Sequence, residues 1–290
     1  MKTGTLYIVA TPLGNLEDLA PRALSVLREA TTVACEDTRR TRGLLERFGV
    51  EQRRLISYHK FNERAKMESF LAELRSGRDV ALVTDGGTPG VSDPGALLVA
   101  AALAEGLTVS PIPGPSAVAA AISVCGFPSG SFLLEGFLPA RAAARRKQLR
   151  SLAQETRPIV FFEAPHRLAA ALADMLEALG DRPVTVVREA TKLYEEVRRI
   201  TLKELLLRAG EDEPRGEFTL VVQGRPEGRA PDSRSDIPIE QLRMRYHVIL
   251  GEGVDPREAV KRLARETGWP RREVYSVVHA GGPKKPARSK

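Results

Sequence analysis

Three short segments combine glycine and proline with small hydroxyl residues in a way that exposes backbone to a ligand. They are Thr11-Pro12-Leu13-Gly14-Asn15, Asp85-Gly86-Gly87-Thr88-Pro89-Gly90 and Pro113-Gly114-Pro115-Ser116-Ala117. Glycine lacks the side chain that keeps other molecules off the main chain, so such loops can aim amides and carbonyls at a bound group. None of them has the spacing G-x-G-x-x-G or ends in G-K-S/T, so a nucleotide phosphate is not the ligand they suggest. A zwitterion fits better. Gly114-Pro115-Ser116-Ala117 can open a helix whose first amides, with the Ser116 hydroxyl, hold a carboxylate. Taken singly, each segment is equally well an ordinary turn.

The charged residues point in a second direction. Arg141, Arg145, Arg146, Lys147 and Arg150 form a basic run with no acid among them, and residues 231–290 hold 13 Lys/Arg against 8 Asp/Glu, which is most of the formal net charge of +7. Two basic foci suggest a polyanion, because each phosphate neutralised releases condensed counterions. The bland alternative is a solvated helix face. His59, His166, His247 and His279 show no metal-ligand spacing with Cys35 or Cys125, so no metal is expected.

The loops need elements to hold them, and apolar runs stand in front of all three. Leu6–Ala10, Thr32–Cys35, Val80–Thr84 and Leu107–Ile112 read as buried strands. Helices are expected from Pro21, over Arg42–Phe48 and Glu63–Arg75, and from a cap at Asp93-Pro94 through Glu105. Strands alternating with helices imply a mostly parallel, doubly wound α/β sheet, whose ligand crevice lies beyond the carboxyl ends of the strands. A second α/β unit follows, with strands at Phe132–Glu135, Ile159–Glu163, Val184–Arg188 and Phe218–Val222 and helices at His166–Leu179 and Leu202–Ala209. After a Pro/Gly-rich linker over 224–238, Asp255–Glu266 and Arg271–Val278 outline a helix-turn-helix.

A chain of 290 residues usually divides, and 42% apolar with 28% charged residues is an ordinary globular composition. The expected division is an N-terminal α/β domain over 1–116, a second α/β domain over 117–228, a linker and helical RNA-binding candidate over 229–280, and a disordered basic tail over 281–290. The uncharged stretch from Gly106 to Leu134 is broken by four prolines and three internal glycines, so no membrane span or membrane association is expected. Two cysteines and no signal-peptide pattern make the cytoplasm the expected compartment.

The three loops, together with Glu36-Asp37-Thr38-Arg39, Val91-Ser92-Asp93-Pro94-Gly95, Glu135-Gly136-Phe137-Leu138-Pro139, Phe162-Glu163-Ala164-Pro165-His166-Arg167, Arg188-Glu189-Ala190-Thr191-Lys192 and Gly216-Glu217-Phe218-Thr219, occur in the order seen in the tetrapyrrole methylase superfamily, the class III S-adenosylmethionine-dependent methyltransferases. The resemblance covers roughly residues 4–224. Within the superfamily the sequence resembles the branch that 2′-O-methylates a cytidine in the decoding region of 16S rRNA. It implies two α/β domains with S-adenosylmethionine in the cleft between them, a homodimer, and a substrate within the 30S subunit or a late assembly particle. By the same resemblance the cofactor contacts are Leu13 and Gly14, Gly87, Thr88 and Pro89, Ser116 and Ala117, and Phe162 with Thr219. Many tetrapyrrole-acting relatives carry Gly-Asp-Pro where this chain has Gly87-Thr88-Pro89, which replaces a carboxylate by a hydroxyl.

Methylating a ribose hydroxyl requires placing the oxygen in line with an electrophilic methyl group and removing its proton. Glu163, Glu189 and Lys192 are the first candidates for the base, with Glu36, Asp37 and His59 in reserve; Lys192 qualifies only if desolvation lowers its pKa. Each is equally suited to an ion pair or a phosphate contact. Arg39, Arg141, Arg145, Arg146, Arg167, Arg188, Arg257, Lys261, Arg271 and Arg272 are the expected RNA contacts, since guanidinium pairs bidentately with phosphate. The competing readings are a tetrapyrrole or diphthamide-type methylase of the same superfamily and a non-catalytic RNA-binding assembly factor.

Overall fold

The computed structural model describes residues 2–50, 54–128, 130–211, 214–226, 239–267 and 269–279. Its first half runs β1 (Thr5–Val9), α1 (Pro21–Glu29), β2 (Thr32–Cys35), α2 (Thr38–Arg47), β3 (Arg54–Ser57), α3 (Glu63–Arg75), β4 (Val80–Val83), α4 (Ala96–Ala104) and β5 (Thr108–Ile112). The five strands form one sheet in the order β3-β2-β4-β1-β5, and all pairings are parallel. β2 and β4 are buried along their whole length, as a sheet covered on both faces requires. Alternate residues of β4 feed opposite cores: Val80 and Leu82 pack with Phe70, Leu74 and Leu98, whereas Ala81 and Val83 pack with Ala23, Leu27 and Leu45. The expected start of α4 at Asp93-Pro94 is displaced. Gly95 is the N-cap at φ +135°, and a Cβ there would come within 2.8 Å of Leu82 Cδ2, so the helix begins one glycine later and leaves Asp93 in the loop.

The second half runs α5 (Ala117–Val124), β6 (Leu133–Phe137), α6 (Ala142–Ser151), β7 (Ile159–Glu163), α7 (Pro165–Leu179), β8 (Pro183–Arg188), β9 (Glu196–Thr201), α8 (Leu202–Glu211) and β10 (Phe218–Val222). Its sheet has the order β6-β7-β10-β8-β9, with β6 and β7 parallel and the rest antiparallel. The last strand made, β10, is therefore the central one, and all five of its residues are buried. α5 covers one face through Val118 and Ala121, and α6 to α8 cover the other through Leu149, Leu168, Leu172 and Leu205. Edge strand β9 reads Glu-Val-Arg-Arg-Ile-Thr and is largely exposed. The charges on such an edge discourage pairing with another chain.

Both sheets belong to one compact unit, Met1–Arg225; the second unit is Pro226–Lys290. In the latter, α9 (Ile239–Gly251), α10 (Pro256–Thr267) and α11 (Arg271–His279) enclose Leu242, Tyr246, Ile249, Leu263 and Val274. The sequence outline contains α10 and α11 but not α9, which makes this a three-helix unit. Val260, Leu263 and Ala264 are buried while Arg257, Lys261 and Arg265 face outward. Most of the expected linker (227–238) and the expected disordered tail (281–290) lie outside the described residues. No helix among the described residues is long and apolar enough to cross a membrane.

Candidate cofactor cleft

The three loops meet at the carboxyl ends of β1, β4 and β5. Thr11 and Gly87 exchange backbone hydrogen bonds of 2.9 Å each way, which ties the first loop to the second. The Thr88 hydroxyl donates to the Pro115 carbonyl at 3.1 Å and ties the second to the third. Gly87 adopts φ +91°, and a Cβ added to it would touch Leu13 Cδ2 at 3.4 Å, so this position requires glycine for its conformation. Ser116 caps α5 by accepting from the Ala119 amide at 3.4 Å.

These loops form one side of a cleft of about 650 Å³, and Phe137, Phe162, Glu163, His166, Lys192, Glu217 and Thr219 of the second half contribute the other. A cleft of this size, lined by backbone, apolar side chains and a few polar groups, suits a small-molecule cofactor. Of the expected cofactor contacts, Leu13, Gly87, Thr88, Ser116, Ala117, Phe162 and Thr219 line it. Gly14 faces an adjoining hollow of about 470 Å³ with Arg40 and Arg47, and Pro89 is buried.

On the second-half side every carboxylate has a positive partner. Glu163 has a fully buried side chain; its Oε1 lies 3.2 Å from Arg167 Nε and accepts from the Ala164 amide at 3.0 Å, while Oε2 has no hydrogen-bond partner. Lys192 Nζ donates to Glu189 Oε1 at 2.9 Å and Glu217 Oε2 at 3.1 Å. Burial alone would favour the neutral amine, but these two hydrogen bonds outweigh it and raise the Lys192 pKa. The condition for Lys192 to act as a base is therefore reversed: it is held as a cation. Burial likewise would raise the Glu189 pKa, but its hydrogen bonds to Lys192 and to the Glu217 amide bring it below the usual carboxylate range. Glu189 and Thr191 both adopt positive φ, +51° and +65°. The Asn15 amide donates to the Thr191 hydroxyl at 3.1 Å, and Gly14 leaves no room for a Cβ beside Lys192 Cγ, so the two halves interlock here.

The first-half side is different. Glu36, at the end of β2, Asp85, after β4, and Asp93 all line the cleft. Asp85 accepts from the Asp37 amide at 3.1 Å and lies 3.4 Å from Arg40. Glu36 and Asp93 make no ion pair among the described residues. Burial, followed by the Asp85 charge, raises the Glu36 pKa. Burial, followed by the Glu36 charge, lifts Asp93 to about 6. Asp37, an expected reserve base, is instead the N-cap of α2, and hydrogen bonds from Arg39 hold its pKa at about 2. His59 lies outside the residues lining the cleft and accepts from the Phe61 amide or engages Asn62. Sequence reading placed Asp93 at a helix cap and gave Asp85 no role, because nothing in a linear string brings residues 36, 85 and 93 together; the adjacency of β2 and β4 does so. Among the described residues no group of three or more His, Cys, Asp or Glu is arranged to hold a metal ion.

The expected RNA contacts separate into three groups. Arg145 is a correction: it is buried, 2.6 Å from Asp174, and donates to the Ala140 carbonyl at 3.2 Å, so it anchors α6 to α7 and is unavailable to phosphate. Arg146 shares Asp174 at 2.8 Å but is half-exposed; Arg167 is engaged by Glu163 and the Leu138 carbonyl. Arg188 lies away from the cleft, beside a small hollow of about 170 Å³ next to β9, and donates to the Arg215 carbonyl at 2.7 Å. Arg39, Arg141, Arg257, Lys261, Arg271 and Arg272 are exposed.

Residues 5–206 match the sequence profile of the Tetrapyrrole (Corrin/Porphyrin) Methylases. The chain is 47% identical over 275 residues to a "Ribosomal RNA small subunit methyltransferase I" of Xylella fastidiosa (strain Temecula1), covering 94% of this chain and 98% of that one. It is 45% identical over 222 residues to a protein of the same name from Thermotoga maritima, covering 77% of this chain and 99% of the relative, a length close to that of the first unit alone. In fold it is similar to a uroporphyrin-III C-methyltransferase of Thermus thermophilus complexed with S-adenosylhomocysteine (TM-score 0.55, 21% identity, 76% of this chain and 92% of that one). It is also similar to a diphthine synthase (TM-score 0.57, 18% identity, 76% and 90%).

Proposed function

The chain belongs to the tetrapyrrole methylase family, and from that premise we propose that it uses S-adenosylmethionine to methylate the 2′-oxygen of a cytidine in the decoding region of 16S rRNA. The observation that carries rRNA methylation is identity of 42–47% with proteins named for that activity over 94–95% of the chain. The ribose and the decoding-region cytidine rest on the motif resemblance. The methyl donor supplies an electrophilic methyl group; the chain's own residues orient and shield it. Leu13, Gly87, Thr88, Ser116, Ala117, Phe162 and Thr219 hold it in a cleft lined by backbone and apolar side chains. Pro89 stiffens the second loop and Gly14 lets the first approach Lys192.

Glu163, Glu189 and Lys192 position the reacting groups. Arg39, Arg141 and half-exposed Arg146 meet phosphate near the first unit's surface, with Arg167 and Arg188 engaging RNA only by exchanging their present partners. Arg257, Lys261, Arg271 and Arg272 of the three-helix unit draw the RNA in from solution. The enzyme acts in the cytoplasm, away from membranes, on the 30S subunit or a late precursor. It works as a homodimer, for which exposed Leu97, Leu103 and Val124 offer apolar surface.

The test is methyl transfer from tritiated S-adenosylmethionine to 30S subunits, naked 16S rRNA and uroporphyrinogen. Label is expected in the RNA in an alkali-resistant dinucleotide, because a 2′-methoxy group cannot attack the neighbouring phosphate. Label on a base, or only on the tetrapyrrole, would sink this reading. A chain ending at Arg225 is expected to retain cofactor binding while its RNA affinity, and the slope of log affinity against log salt, both fall.

A further inference from the structure

Among the described residues Glu36 and Asp93 are the two carboxylates lining the cleft that make no ion pair, and Asp93 is the one of the two that sits on a strained turn. It lies half-buried in the wall, and it caps no helix because Gly95 does. The turn that presents it is held in an unfavourable conformation: Gly90 and Gly95 have φ of +81° and +135°, and Ser92, directly before Asp93, has φ +65° although it carries a side chain. A non-glycine residue in this region is strained and persists only where the fold over-determines it. Ser92 lies against β6 of the second sheet, its Oγ 2.5 Å from the point a Cβ on Gly136 would occupy, so the turn meets the second half only because Gly136 has no side chain.

We propose that Asp93 is the catalytic residue that receives the hydroxyl proton during methyl transfer, an assignment that rests on the ribose-methylation reading above. In that step the ribose 2′-oxygen forms a bond to the methyl carbon while the carbon–sulfur bond breaks. The electron pair of that bond stays on sulfur, which becomes a neutral thioether, and the 2′-hydroxyl proton passes to a carboxylate oxygen of Asp93. Later release of that proton to solvent resets the site.

The charged groups facing Asp93 decide how it titrates. From the first half they are Glu36, on the end of β2, and Asp85, whose charge is shared with Arg40 of α2; from the second half the cleft presents Glu163, His166, Lys192 and Glu217. Lys192 is already claimed by two carboxylates, and Glu163 by Arg167. The balance around Asp93 is therefore burial and the like charges of Glu36 and Asp85, offset in part by the Thr84 hydroxyl, which together place its pKa at about 6, close enough to neutrality for a carboxylate that must both accept a proton and let it go.

Two measurements decide the matter. Single-turnover methyl transfer to 30S subunits, followed from pH 5 to 9, is expected to fall about 10²- to 10⁴-fold in Asp93→Asn, the range for losing a general base, with cofactor affinity by calorimetry nearly unchanged. The acidic limb of the wild-type profile is expected to vanish with it. Carbon-13 NMR of the cofactor-free protein is expected to show Asp93 titrating near the pH of that limb. Glu36→Gln, which removes the neighbouring charge, should move both the NMR titration and the kinetic limb to lower pH together, and this pair still decides if Asp93→Asn fails to fold. A rate within tenfold of wild type in folded Asp93→Asn, or a limb that stays put while the NMR titration moves, overturns the assignment. Wild-type enzyme that leaves RNA unlabelled removes the reaction itself, a result distinct from either.

Discussion

The two sides of the cleft treat negative charge in opposite ways. In the second half each acid lining the cleft is matched: Glu163 with Arg167, and Glu217 with Lys192, which also holds Glu189, itself outside the lining. In the first half Glu36 and Asp93 make no ion pair among the described residues, and burial together with neighbouring acids raises both, Asp85 acting on Glu36 and Glu36 on Asp93. A matched carboxylate is fixed in charge and position, which suits orientation; an unmatched one can change its charge at a pH the cell visits. The first candidate bases read from the sequence, Glu163, Glu189 and Lys192, lie on the matched side, while Glu36 stands in reserve and Asp93 reads as a helix cap. Motif density marks a site, but the absence of a counter-charge marks the reactive group within it.

The matched half can be broken furthest where its pairing is most buried. Asp174→Ala leaves Arg145 as an unpaired cation, its side chain 8% exposed, between α6 and α7. The expected loss is about 3–5 kcal/mol in urea unfolding, the usual result of removing one member of a buried pair. A change below 1 kcal/mol would show that solvent reaches Arg145.

Lys192→Met comes next. It keeps the aliphatic packing against Gly14 and deletes only the charge, so it makes the second half resemble the first. The Glu189 pKa should rise, and methyl transfer should fall roughly ten- to thirtyfold, since hydrogen bonds to charged groups are worth about 1.5–3 kcal/mol and solvent screens part of this. An unaltered rate would confine Lys192 to holding the two halves together.

The smallest expected effect sharpens the contrast from the unmatched side. Asp93 is raised from 3.8 to about 6 in the folded protein, so between those values the native state binds more protons than the unfolded chain. Stability must then fall as pH rises through that window and remain lowered above it. Asp93→Asn removes this penalty, so its melting temperature should exceed wild type by a few degrees at pH 7.5, about 1 kcal/mol being worth ~2–4 °C at this size. The gain should shrink toward pH 4.5. An equal difference at both pH values would mean that Asp93 is not titrating in the window.

Much of the frame is legible in the linear sequence. β2, α3, β7 and β10 fall on the expected residues because each is an unbroken apolar run or a capped, periodic segment. β3 and β9 escape because Arg54–Ser57 is short and half-exposed and Glu196–Thr201 carries charges on an edge. α9 escapes because its apolar residues, Leu242, Tyr246 and Ile249, are interleaved with Arg243, Arg245 and Met244 and follow a long polar stretch. The loops of the cleft could be named one by one, since glycine and proline announce them. The Glu36–Asp85–Asp93 neighbourhood could not, since it depends on β2 lying beside β4, and neither could the burial of Arg145, which depends on α7 supplying Asp174.

The position of β10 sets a timetable for making the enzyme. A ribosome completes β7 some fifty residues before it begins β10, yet β7 and β8 are joined only through β10. At about 5–20 residues per second the half-built sheet waits for roughly 3–10 s with two long strand edges open. During that interval the backbone groups of β7 and β8 that β10 will pair stand open, and helper proteins or aggregation compete for them. Cofactor affinity should therefore arrive abruptly, late in translation, when the stretch from Phe218 to Val222 leaves the exit tunnel and slides into the gap.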